Sequence, residues 1–99
     1  MSAKAKPETE PPPTYAIDQT VIVVVTAGWV FVGRIRELTE RCLVIDTASN
    51  IRHWGTTKGL GELAVKGPLK ATVLDAVGIA WLERRHVLFC LPCSWDAKL

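Results

Sequence analysis

No apolar run in these 99 residues approaches the roughly 18 that a membrane-spanning helix needs. The opening Met1-Ser2-Ala3-Lys4 lacks the apolar stretch of a secretory signal, so a cytosolic protein without membrane association is expected. Cysteine is scarce: three residues cannot all pair within one chain, which fits a reducing compartment better than a disulfide scaffold. Charge is nearly balanced, 12 Lys and Arg against 10 Asp and Glu, too mild an excess to imply nucleic-acid binding by itself, because phosphate-driven affinity needs clustered cations. Catalytic groups are equally sparse. Only two histidines occur, no nucleophile stands beside a base, and the carboxylates after residue 14 are scattered over turns and loops. A protein that is not an enzyme and uses no cofactor is expected. There is no internal repeat, and the length allows one compact domain, which excludes a multidomain enzyme.

What the chain does have is β-forming apolar residues. It is 48% apolar, with a mean hydropathy of +0.20 and 17 Val and Ile residues, which suit a pleated, half-buried surface. So short a chain buries only about 60 to 65% of its unfolded surface, so association with copies of itself is a natural source of extra stability. Residues 1–14 hold four of the six prolines and nothing to bury, and read as a flexible, solvated arm with polyproline-II character. Pro11, Pro12 and Pro13 suit an aromatic groove on a partner. Residues 15–99 form the folded domain.

Val21 to Val25 is continuous and β-branched, so its strand is either covered on both faces or part of a tightly closed small barrel. Thr26-Ala27-Gly28 supplies a turn in which Gly28 can take a positive φ. The next strand, Trp29 to Arg36, puts Trp29, Phe31, Gly33 and Ile35 on one face and Val30, Val32, Arg34 and Arg36 on the other, and the aromatic face is expected to be core. A third strand runs from Cys42 to Asp46, and a bend or bulge at Ser49-Asn50 precedes the short alternating stretch Ile51-Arg52-His53-Trp54. Between Gly59 and Gly67, Leu60, Leu63 and Ala64 recur at helical spacing, with Lys66 in the last turn and Pro68 beyond the stop. The segments Val77 to Trp81 and His86 to Leu91, joined by Glu83-Arg84-Arg85, read as a closing hairpin. The fold expected is mainly β: a small, partly open barrel of the SH3-like or Sm-like kind, with five or six antiparallel strands and one short helix.

Three groups of residues carry possible chemistry. Arg52, His53 and Trp54 with Thr56, Thr57 and Lys58 form the densest polar and aromatic cluster, beside the helix start at Gly59 and Leu60. A guanidinium fork, an indole face and free N–H groups at a helix start together suit an anionic, nucleotide-like ligand. The plainer alternative is that Trp54 is packing and the cations are solvated. Arg34, Arg36, Arg84 and Arg85 form a basic stripe if their edges meet, suited to single-stranded nucleic acid, although Glu37, Glu40 and Glu83 interleave with them. Cys90-Leu91-Pro92-Cys93, with His86, Cys42 or His53, has part of a zinc pattern, but a second close ligand pair is missing and Cys90 fits plain core, so no metal is expected. Redox use is disfavoured because the CxxC ends a strand instead of starting a helix.

The run Ile51-Arg52-His53-Trp54-Gly55, the helix closing on Gly67, the Val23 to Gly33 turn region and the corner Leu91-Pro92-Cys93-Ser94 resemble a family of short phage and prophage proteins without an assigned activity. The resemblance spans roughly Val21 to Ser94. It implies a phage or prophage origin, the cytoplasm of a bacterial host, and a β-rich fold. Where that family carries doubled arginines this chain has Ile51 and Arg52. The function expected is a non-enzymatic homo-oligomer that captures a small nucleotide-like ligand, such as a host defence signal. The alternatives are a virion structural or assembly protein that uses its N-terminal arm, and a barrel that binds single-stranded nucleic acid.

Overall fold

The computed structural model describes residues 16–98, so the arm expected over residues 1–14 lies outside the described residues. The elements are β1 (Thr20–Val25), β2 (Val30–Leu38), β3 (Cys42–His53), α1 (Leu60–Lys66), β4 (Val73–Glu83) and β5 (Val87–Pro92). Every pairing is antiparallel, in the order β4-β3-β2-β1-β5. The two outermost strands are thus β4 and β5, yet only the 3₁₀ turn Arg84–His86 joins them. In a flat sheet four strand spacings would hold the edges about 19 Å apart. Three residues of 3₁₀ turn rise only about 6 Å. The sheet therefore curls until its edges approach, and because β4 and β5 form no ladder the barrel stays open.

Curling gives the sheet an inside and an outside, and both are covered. Val21, Val23 and Val25 of β1 point inward to Ile35, Leu43, Ile45 and Ala48. Ile22 points outward, where Val30, Val32 and Ile51 meet Leu63 and Ala64 of α1. Trp95 joins this outer layer, and its indole N–H donates to the Leu63 carbonyl at 2.8 Å. Two-sided cover is the physical reason β1 is apolar from Val21 to Val25. A fully buried side chain such as Leu63 contributes about 1.5 to 3 kcal/mol.

The helix lies where its spacing and glycines indicate, and Gly67, at φ 85°, closes it by donating its N–H to the Leu63 carbonyl at 2.9 Å. In the β1–β2 turn Gly28 takes the expected positive φ, 83°, and Ala27 shares it at 68°. Other expectations need correction. Phe31 and Ile35 do face the inner core, but Val30 and Val32 on the opposite face are buried beneath α1, and Trp29 lies outside the strand, 55% exposed. The register slips between Ala48 and Ser49, beside the expected bend or bulge, and also between Ile45 and Ala48, where Thr47 has φ 50°, while β3 continues through Asn50 to His53. The closing hairpin does not form: β4 pairs with β3, and β5 with β1. The Arg84 N–H donates to the Arg41 carbonyl at 2.7 Å and its guanidinium to the Thr39 carbonyl at 2.6 Å, which ties the turn to the β2–β3 loop.

Two glycines give opposite predictions. Gly55 has φ +70° and lies against the Ala71 carbonyl and the Thr72 nitrogen, so a Cβ there meets backbone that cannot give way. Gly55→Ala is expected to destabilise by about 2 to 5 kcal/mol. Gly61, in the first turn of α1, has open space around it, and Gly61→Ala should stabilise by about 0.5 to 1 kcal/mol. Urea unfolding of both variants checks the pair; equal effects would contradict the close approach at Gly55.

Candidate functional site

β3 ends at His53, and the chain then turns through Trp54 and Gly55, held by the Thr72 hydroxyl donating to the Trp54 carbonyl at 2.6 Å. The result is an open groove of about 490 Å³ whose lining includes Arg52, His53, Trp54, Thr56, Thr57 and Ala71. Five of the six residues expected in the ligand cluster thus meet, and Lys58 follows just outside the lining. The electrostatics differ from a bare anion site. Arg52 directs its fork at Asp75 on β4, Nε to Oδ2 at 2.8 Å and Nη2 to Oδ1 at 3.3 Å. The N–H groups before α1 face a carboxylate of the same chain: Glu62 accepts from the Lys58 N–H at 2.8 Å and from the Thr57 hydroxyl at 3.2 Å, and pairs with Lys66 at 3.4 Å. The Lys58 N–H, the Thr57 hydroxyl and Lys66 together hold the Glu62 carboxyl below its usual range. An incoming anion must displace carboxylates already in place. At Arg52 that is easy, since the two side chains are 67% and 47% exposed and such pairs are worth about 0 to 1 kcal/mol.

The arginines expected to form a stripe fall into two groups. Arg34 makes a fork to Asp46 at 3.0 and 3.2 Å, and this guanidinium, with the Thr47 hydroxyl, draws the Asp46 carboxyl down. Arg36 lines a second groove with Glu37, Val44, Ile79 and Trp81. Arg84 and Arg85 lie in the β4–β5 turn, where Glu83 is 3.6 Å from Arg41 and 3.9 Å from Arg85. The CxxC pair is split by the strand's alternation: Cys90 packs on the inner core and Cys93 on the outer one. Burial pushes the Cys93 thiol up to about 12, so it stays a neutral thiol at neutral pH. Among the described residues no three His, Cys, Asp or Glu side chains converge as metal ligands, and no helix is long and apolar enough to cross a membrane.

Sequence reasoning missed several features. Glu62 had a legible signal, a Glu at the third helical position reaching back past the cap. Asp75 had none, because 23 residues separate it from Arg52. Also unforeseen is the exposure of both sheet edges. Val77, Ile79 and Trp81 on β4 and Leu88 and Phe89 on β5 are all exposed, Trp81 to 76%. Trp29 stacks on Phe31 with ring centroids 6.4 Å apart and planes 14° from parallel.

Two solved structures of archaeal Sm proteins are similar to this chain. A heptameric archaeal Sm protein matches 77% of this chain and 87% of its own length, at 17% identity and a TM-score of 0.52. The SmAP1 heptamer of P. aerophilum matches over 80% and 84%, at 16% identity and a TM-score of 0.53. The likeness establishes an Sm-like fold. No protein-family model and no curated protein matches the chain.

The Glu62 carboxyl titrates lower in the folded than in the unfolded chain, so its stabilising effect is complete above the ordinary value of 4.5 and fades as pH falls through the folded value. Glu62→Gln should therefore lower Tm at neutral pH, with the gap to wild type narrowing at an acidic pH below the ordinary value of 4.5. Thermal unfolding at both pH values checks this; a gap independent of pH would contradict it.

Proposed function

We propose that this chain is a subunit of a homo-oligomer that assembles β4 edge to β5 edge, and that the assembly binds single-stranded nucleic acid. The observation that carries the reading is the pair of bare, apolar edges. Unpaired edge strands with exposed apolar side chains invite further pairing unless something covers them. The two edges are different strands, so β5 of one copy added to β4 of the next is a head-to-tail contact, which makes a ring when the rotation closes. In that pairing Ile79 and Trp81 meet Phe89 on the outer face. Leu88, 61% exposed, stands at the bulge between Val87 and Phe89 and adds apolar surface to the β5 edge. The similar archaeal Sm proteins are heptamers, one of them described for its implications for the eukaryotic snRNP core. Arg41, Arg84, Arg85 and His86 gather at the β4–β5 turn, and a ring repeats this weakly basic patch once per copy, which multiplies a modest attraction for phosphates.

A second reading, capture of a small anionic, nucleotide-like ligand by a phage-encoded sponge, draws support from the open groove beside Trp54 and from His53 and Lys58. The side chains of those two residues have no partner among the described residues. Equilibrium dialysis against a nucleotide panel separates the readings: retention that Trp54→Ala abolishes supports capture, and absence of retention removes it.

Light scattering should give a mass several times 10.9 kDa for the wild type and a monomer for Leu88→Glu with its β spectrum intact. An unchanged mass for that variant opposes edge assembly. Oligonucleotide affinity should fall steeply between about 50 and 200 mM salt and weaken about 10-fold or more when Arg84 and Arg85 are both replaced by Ala. Binding indifferent to salt opposes the nucleic-acid reading.

A further inference from the structure

We propose that Trp29, Phe31 and Asn50 form a nucleobase platform on the inner face of the sheet, with Arg52 at its rim, so that a bound single strand is held through its bases and purines are preferred. The proposal rests on the nucleic-acid reading above and adds a second contact surface to it, at the opposite end of β2 from the Arg84 turn.

The β2–β3 register places Phe31 opposite Asn50, and the β3–β4 register places Asn50 opposite Asp75. These three residues form one row across β2, β3 and β4, near the end of the sheet beside the β1–β2 turn. One step further along the same face stand Trp29, just before β2, and Arg52 on β3. Phe31 is anchored against the inner core, and the Trp29 ring lies on it, 6.4 Å between centroids and 14° from parallel. The stack occupies one indole face while Trp29 remains 55% exposed. Core packing does not account for an aromatic left so open. Assembly does not cover it either, because β2 lies between β1 and β3, away from both free edges.

A rigid, exposed indole offers any base a π-face, and the larger face of a purine gains most from it. Asn50 adds the polar part. Its half-buried carboxamide has no hydrogen-bond partner among the described residues, which leaves a donor and an acceptor side by side, the pattern that complements a base edge. Arg52 is held by Asp75 in an exposed fork that a phosphate can replace at small cost. Aromatic pair, amide and guanidinium thus match base, base edge and backbone of one nucleotide unit.

The test uses the full chain with fluorescently labelled oligo-A and oligo-U strands, read by anisotropy, with oligomeric mass and β spectrum checked for each variant. The wild type should bind oligo-A more tightly. Trp29→Ala should weaken oligo-A binding about 10-fold or more, Trp29→Phe should retain most of it, and Asn50→Ala should narrow the gap between the two strands. If Trp29→Ala binds like wild type while replacing Arg84 and Arg85 by Ala abolishes binding, the platform is overturned and the nucleic-acid reading stands. Equal affinity of the wild type for both strands overturns the purine preference, and no binding of either strand removes both readings.

Discussion

The three-residue turn between β4 and β5 is the constraint from which the rest follows. It joins strands at opposite edges of a five-stranded sheet, so the sheet has to curl, and curling creates the inner core of Val21, Val23, Ile35, Leu43 and Ile45. The outer side of the same strands is then left apolar as well. α1 and Trp95 cover part of it, over Ile22, Val32 and Ile51, and the edge strands are left with apolar residues exposed. The turn is fastened to the β2–β3 loop through Arg84, so the residue that closes the curve also concentrates cations there.

Electrostatics shows a consistent economy. Arg34 and Arg52 each meet an aspartate on a neighbouring strand, and Glu62 satisfies the chain entering α1. These pairs explain how a chain with net charge +2 carries several arginines on one sheet without building a strong field. They also separate two kinds of surface. The Arg34–Asp46 pair is partly sheltered and braces the bulge at Thr47, whereas the Arg52–Asp75 pair is open to solvent and lies beside unpartnered aromatic and amide groups.

Much of the local structure was legible in the sequence. The β-branched run at Val21 indicated a strand with little free surface, and Gly59, Gly67 and the Leu60-Leu63-Ala64 spacing located α1 to the residue. These signals are local: backbone preference and side-chain period act within a few residues. The errors were errors of partner and depth. Alternation in β4 and β5 reveals which side chains share a face but not which strand lies alongside, so it suggests a hairpin that does not form. Alternation likewise places Trp29 on the core face with Phe31 and Ile35, although the β1–β2 turn carries it past the end of the strand.

The amino-acid sequence by itself determined a small, mainly β domain with one short helix, a sharp turn at Gly28, and a polar, aromatic cluster at Arg52 to Thr57. Each depends on torsional preference and spacing between near neighbours. Only the tertiary structure decided that β4 and β5 lie apart, that Asp75 occupies the fork of Arg52, that Cys90 and Cys93 face opposite cores, and that Trp29 and Phe31 stand beside Asn50. Those outcomes depend on how far the sheet curls and on where its register slips. Both are set by contacts between residues tens of positions apart, and neither leaves a trace in any short stretch of sequence.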